Sequence, residues 1–154
     1  MPEQGGYTML PMRIVVWIVG LVFMVLSPVV AVGDVLVFCL DTSGSMQKQG
    51  RFEAAKSVLA QQIRDAQPGD VIYVIAFDSN DYPIGRLDVG EDGSPEAKEQ
   101  LLAKIQGLKA KGRYTNLDEP LQAAKAFLLE ERSLGTRKIL ILSDGLSDPS
   151  PDHT

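Results

Sequence analysis

Three oxygen-bearing side chains lie close together just after an apolar run near residue 40. Residues 35–40 read Val-Leu-Val-Phe-Cys-Leu, a pattern that predicts a buried β-strand. Asp41, Ser43 and Ser45 follow at intervals of two, where a strand gives way to a loop. A carboxylate and two hydroxyls suit Mg²⁺, which takes about six oxygens and only one or two of them from carboxylates. The same residue types also form turns and helix caps, so this segment alone is compatible with either a metal site or a turn.

Two distant segments supply similar side chains. Thr115 lies in the loop 112–117, ahead of a predicted helix, and Asp144 closely follows the apolar run 138–142. We expect all of these residues in loops at one edge of a sheet. The resulting set of candidate oxygen ligands is Asp41, Ser43, Ser45, Thr115 and Asp144.

Strands and helices alternate along the chain. Apolar runs predict strands over 34–40, 71–77, 83–89 and 136–142, and helical periodicity predicts helices over 51–63, 94–108 and 118–132. Pro83 favours an edge position for the third strand, and Ser94 before Pro95 is typical of a capped helix start. The alternation predicts an α/β fold with a doubly wound, mostly parallel sheet flanked by helices. Ligands bind such sheets beyond the carboxyl ends of strands, where Asp41 and Asp144 are predicted to lie.

The five residues in this context resemble the metal-ion-dependent adhesion site of von Willebrand factor A domains. The signature is Asp-x-Ser-x-Ser with a distant Thr and a distant Asp, and this chain fills all five positions in order. The resemblance runs from about Asp34 to Gly145 and implies a Rossmann-like fold that binds Mg²⁺ or Mn²⁺. It implies that Ser43 and Ser45 bind the ion directly and that Thr115 binds directly or through water. Asp41 and Asp144 would hold the ion through water or bind it directly.

The implied site has an open position for a partner. Two carboxylates balance the charge of Mg²⁺, so a third carboxylate from a Glu or Asp of a partner protein can bind the ion. We therefore expect a protein-binding module rather than an enzyme.

The first 33 residues contain a long nonpolar run that sets them apart from the predicted domain. Ile14 to Leu26 is uninterrupted and nonpolar behind Arg13, which is typical of a signal-peptide core, and cleavage after Gly33 would begin the mature chain at Asp34. Residues 14–32 are also nearly long enough for a membrane anchor. We expect residues 1–33 to be a signal peptide or a hydrophobic N-terminal anchor helix, and residues 34–154 to form the domain. Under either interpretation the domain lies outside the cytoplasm.

Composition narrows the function classes. The chain has 154 residues and a net charge of −5, and we expect no Lys/Arg cluster or basic stripe, which argues against nucleic-acid binding. Cys39 lacks a second cysteine for an internal disulfide, and His153 is the only histidine, too few for a histidine-based catalytic or zinc site.

Two alternatives remain beside adhesion. Ser45 and Lys48 match the Ser-x-x-Lys of some serine hydrolases, but no Lys-Thr-Gly segment accompanies them. A subunit of a bacterial cell-envelope assembly is the second alternative. The resemblance also leads us to expect a C-terminally truncated domain, because family members continue with further elements beyond the position of Asp144.

Overall fold

The computed structural model describes residues 32–145. Four strands are present in this range: β1 (Val35–Asp41), β2 (Val71–Phe77), β3 (Asp81–Asp88) and β4 (Arg137–Leu142). Three α-helices accompany them: α1 (Arg51–Asp65), α2 (Pro95–Gly107) and α3 (Asp118–Glu130). A 3₁₀ segment, Gly44–Gly50, links β1 to α1 and bends at Lys48 and Gln49.

The strands form a mixed sheet in the order β3-β2-β1-β4. β1 pairs in parallel with β2 on one side and with β4 on the other, whereas β2 and β3 are antiparallel. The first and last strands are therefore neighbours, and the strand order reverses at β1. Two of the three pairings are parallel, so the sheet of the described residues is mixed.

β3 occupies the edge that its proline predicted. The β2–β3 register shifts between Val74 and Ile75, and Pro83 lies opposite Ile75. A proline has no backbone N–H to donate, so an edge strand with an irregular ladder tolerates it.

The sheet is covered on both faces. Phe38, Leu40 and Ile72 belong to a cluster that also contains Leu59 of α1 and Ile105 of α2. The alternate residues of β1 and β2 pack on the opposite face, because successive strand side chains point to opposite sides. That second cluster joins the sheet to α3 through Val37, Cys39, Ile75, Ala124 and Phe127.

Cys39 packs as a small apolar residue against α3. Its side chain is fully buried, and burial, reinforced by the charge of Asp81, raises the pKa of the thiol to about 11. The thiol therefore stays protonated at neutral pH.

The predicted start of α2 at Ser94 and Pro95 is confirmed, but the predicted capping by the Ser94 side chain is wrong. Ser94 precedes α2, but its backbone is left-handed (φ 50°) and its side chain does not cap the helix. Its hydroxyl instead accepts a hydrogen bond from Gly90 N at 2.9 Å and donates one to Asp88 O at 3.3 Å. The Ser94 hydroxyl is therefore hydrogen-bonded to the preceding turn and not to the first turn of the helix.

Some expectations fall outside the described residues. Most of the proposed signal core or anchor over 14–32 and the tail over 146–154 lie there, and so does His153. Within residues 32–145, no helix is long and apolar enough to cross a membrane.

Candidate metal centre

Asp41 is the buried centre of the candidate site. It is the last residue of β1 and its side chain is inaccessible to solvent. Its Oδ1 accepts a hydrogen bond from Ser43 N at 2.8 Å, and its Oδ2 accepts one from Ser143 Oγ at 2.7 Å. These two bonds fix the carboxylate and join the ends of β1 and β4.

The serine hydroxyls lie next to each other. Ser43 Oγ and Ser45 Oγ share a hydrogen bond of 2.9 Å. Ser43 is almost fully buried, whereas Ser45 is partly exposed. Ser45 lies in the 3₁₀ segment, for which Ser43 is the N-cap residue.

Backbone hydrogen bonds tie the distant loop 111–116 to this segment. Thr42 O accepts from Lys111 N at 2.8 Å and from Gly112 N at 3.0 Å, and Gly112 O accepts from Gly44 N at 2.7 Å. Thr42 is also anchored to β2, because its N–H and its hydroxyl both donate to Phe77 O, at 2.7 and 2.9 Å. The end of β1, the end of β2 and the loop before α3 are thus held together.

Gly112 is required by this close approach. A Cβ built at this residue would lie 2.2 Å from Asp78 Cβ. Asp78 in turn accepts a hydrogen bond from Asn116 N at 2.7 Å through its carbonyl oxygen. Asp78 therefore has a structural role at this approach.

Thr115 lies in this loop and lines the same cleft as the serines. Its side chain is nearly buried, and it lines a cleft of about 380 Å³. The cleft is lined by Ser43, Gly44, Ser45, Lys48, Gly112, Arg113 and Thr115. The three predicted hydroxyl ligands therefore share one cavity.

Asp144 lies beside this group on the β4 side. Its side chain is only 2% exposed, and its Oδ2 forms an ion pair with Arg51 Nη1 at 3.1 Å. The preceding residue, Ser143, connects it to Asp41. Asp144 is not among the residues that line the cleft itself.

The donor chemistry fits a hard divalent cation. Two carboxylates and three hydroxyls are the oxygen ligands that Mg²⁺ and Mn²⁺ prefer. The described part of the chain contains no group of three or more His, Cys, Asp or Glu side chains that could hold a metal. Any site here must therefore rely on hydroxyls. The assignment of the five ligands remains a prediction.

Sequence reasoning missed several residues around the site. Ser143 stands directly before Asp144 and could have been noticed as a further hydroxyl. The ion pair between Arg51 and Asp144 joins residues 93 positions apart, for which no local pattern exists. The importance of Gly112 follows only from its contact with Asp78.

Comparison with known proteins identifies the family. A family model described as the von Willebrand factor type A domain matches residues 36–146, and the chain belongs to this family. An uncharacterised protein of Mycobacterium tuberculosis, Rv2850c, is 28% identical over 124 residues, covering 78% of this chain and 19% of that protein.

Solved structures share the fold. The three N-terminal domains of the type V pili tip protein Mfa5 from Porphyromonas gingivalis match with a TM-score of 0.62 and 21% identity, over 75% of this chain and 20% of that chain. Proximal thread matrix protein 1 from the mussel byssus, with a zinc-occupied MIDAS motif (the adhesion site named above), matches with a TM-score of 0.58 and 15% identity, over 79% and 31% of the two chains. This chain spans about a fifth of Rv2850c and of the Mfa5 structure.

Proposed function

We propose that this chain is a non-enzymatic binding module whose site takes Mg²⁺ or Mn²⁺ and, through it, a Glu or Asp side chain of a partner protein. The proposed ligands are Asp41, Ser43, Ser45, Thr115 and Asp144. The observation that carries the proposal is the pair of serine hydroxyls, 2.9 Å apart, beside a fully buried Asp41 carboxylate.

The protein residues have separate tasks in this proposal. Asp41 is held by two hydrogen bonds and is fully buried outside the lining of the cleft, so it would contribute negative charge close to the serines. Ser43, Ser45 and Thr115 offer neutral oxygens, so they add ligands without adding negative charge. A bound divalent cation supplies the positive charge and the open coordination position that an acidic partner needs.

Arg51 moderates the charge of Asp144. Their ion pair is half exposed on the arginine side, so the guanidinium can move away while Asp144 stays in place. We infer that Arg51 balances the Asp144 carboxylate before the cation binds.

A hydrolase is less well supported than binding. Ser45 and Lys48 line the same cleft, but Ser45 Oγ forms its hydrogen bond with Ser43 Oγ and not with the lysine. A nucleophilic serine needs an adjacent base to remove its proton. The arrangement therefore favours Ser45 as a ligand.

We place the domain outside the cytoplasm, secreted or held by residues 14–32. Two proteins of similar fold are a pilus tip protein and a byssus thread protein, which accords with a role at the cell surface or beyond. Membership of a cell-envelope assembly remains the second candidate, favoured by the pilus relative. Co-purification with a fixed set of envelope proteins would distinguish it from free adhesion.

The experiment is selection from a random peptide display library on the immobilised full-length protein, in detergent and Mg²⁺. Asp41→Asn, which keeps the side-chain volume and removes the charge, is the matched variant. We expect enriched peptides that carry at least one Asp or Glu and that no longer bind Asp41→Asn or wild type in EDTA. Equal retention in EDTA would contradict the proposed function.

A further inference from the structure

The loop before α3 carries a short basic run, which corrects the expectation that the chain contains no Lys/Arg cluster. Residues 109–113 read Lys-Ala-Lys-Gly-Arg. Lys109, Lys111 and Arg113 are exposed, whereas Ala110 between them is buried. The alternation directs three cations to solvent within five residues of a chain whose net charge is −5.

This run borders two neighbouring clefts. The first is the cleft of the candidate metal centre, to which Arg113 and Lys48 contribute. The second, of about 340 Å³, is lined by Lys109 and Lys111 from the same loop and by Met46 and Gln47 from the 3₁₀ segment. Gln47 Nε2 donates a hydrogen bond to Ala110 O and thereby joins the two segments. Because the same two segments line both clefts, one extended ligand can reach both.

The second cleft differs in chemistry from the first. Its apolar lining consists of Met46, Phe52, Leu108 and Ala110, of which Leu108 is the most exposed. The one acidic residue in its lining, Glu53, forms an ion pair with Lys56 at 2.9 Å. An apolar side chain inside a basic rim is therefore the complementary occupant.

We propose that the partner presents an extended peptide segment with at least two acidic residues and a nearby apolar one. One acid occupies the metal centre, the apolar side chain enters the second cleft, and further acids face Lys109, Lys111 and Arg113. The inference rests on the proposed function, because the first acid binds at that same site.

A peptide accounts for these features better than a nucleic acid. Binding of single strands uses exposed aromatic platforms on which bases stack. Phe52 in the second cleft is only 5% exposed, so its ring offers little surface on which a base could stack. The ring of Tyr114 already has the Arg113 guanidinium over it, 5.9 Å from the ring centroid. An apolar cleft beside a cation site instead suits an aliphatic side chain next to carboxylates.

The same display library tests the inference with two charge-reversed proteins. The first carries Lys109→Glu, Lys111→Glu and Arg113→Glu. The control carries Arg64→Glu, Lys125→Glu and Arg132→Glu, which make the same change in net charge at exposed positions outside both clefts. The strongest selected peptides are then measured by fluorescence anisotropy in Mg²⁺, beside a labelled single-stranded DNA.

We expect peptides with two or more acids near a Leu, Ile, Met or Phe. Their affinity should fall about tenfold or more in the first protein, because three exposed attractions become repulsions, and stay within about threefold in the control. Replacing the apolar peptide residue by serine should also weaken binding.

Three results would overturn the inference. One is selection of single-acid peptides whose affinity depends on Asp41 but not on the basic run, which would leave the proposed function intact. Another is an equal loss of affinity in the control protein. The third is tighter binding of the DNA than of any selected peptide. Binding that persists in EDTA and in Asp41→Asn would instead refute the proposed function itself.

Discussion

Gly112 is where one added methyl group should disturb the candidate site most directly. In Gly112→Ala the new Cβ would lie 2.2 Å from Asp78 Cβ and 2.8 Å from Asp78 Cγ. Carbon atoms in contact prefer about 3.5–4.0 Å, so relief needs a displacement of more than about 1 Å. Asp78 Cβ is attached to the backbone, and Asp78 O is held by Asn116 N at 2.7 Å, so rotation of a side chain cannot provide it.

The displacement should lower both the free energy of unfolding and the affinity for Mg²⁺. Overpacking of this kind destabilises a protein by about 1–3 kcal/mol, and we expect the upper half of that range because backbone must move on both sides. The loop carries Thr115, so the Mg²⁺ affinity should fall as well, by about tenfold if one ligand is displaced. Both effects follow from a single contact.

Gly107→Ala is the matched control. It adds the same methyl group at the last residue of α2, where a Cβ would meet nothing within 4 Å. We expect it to be neutral or to stabilise by about 0.5–1 kcal/mol, because alanine restricts the unfolded chain and favours helix.

Urea unfolding of the full-length protein in EDTA, monitored by circular dichroism, gives the free energy of unfolding of both variants. A loss of about 2 kcal/mol lowers the midpoint by about 1 M urea at typical slopes. If Gly112→Ala unfolds at the wild-type midpoint and binds Mg²⁺ normally, the three loops are not locked together as described.

Two further predictions concern charge. Arg51→Gln should tighten Mg²⁺ binding by about twofold to fivefold, because the half-exposed arginine no longer neutralises Asp144; weaker binding in a titration would mean that Arg51 positions Asp144. Burial, followed by the 2.6 Å hydrogen bond to Glu131, raises the pKa of Tyr73 to about 12. The raised pKa contributes stability that is complete below the unfolded pKa of about 10 and is lost as pH rises through about 12. The difference in urea midpoint between wild type and Tyr73→Phe should therefore shrink between about pH 10 and about pH 12. A difference that stays constant over this pH range would contradict the raised pKa of Tyr73.

Local patterns were sufficient for most of the elements. The run 71–77 is apolar throughout and became β2 with the predicted bounds, because a strand buried on both faces needs no alternation. β1 continues one residue further than predicted, since Asp41 still pairs with Phe77 in the ladder. Its carboxylate is thereby placed at the end of the sheet, next to the loop that contains the serines.

The arrangement around the site could not be read from local patterns. The hydrogen bond from Ser143 to Asp41 joins residues 102 positions apart. The 3₁₀ segment begins and ends at glycines and has no helical periodicity to reveal it. The basic run 109–113 is visible in the sequence, but its position beside Met46 and Lys48 depends on how the loops fold.

Calorimetric titration of Mg²⁺ and Mn²⁺ into the full-length protein, beside Asp41→Asn, tests the central claim most directly. Asparagine preserves the volume of the buried side chain and an oxygen that can accept from Ser43 N, so the variant should remain folded. We predict saturable binding to one site in wild type and its loss in Asp41→Asn. A folded wild-type protein that binds neither ion, or an Asp41→Asn protein that binds as tightly as wild type, would contradict the account.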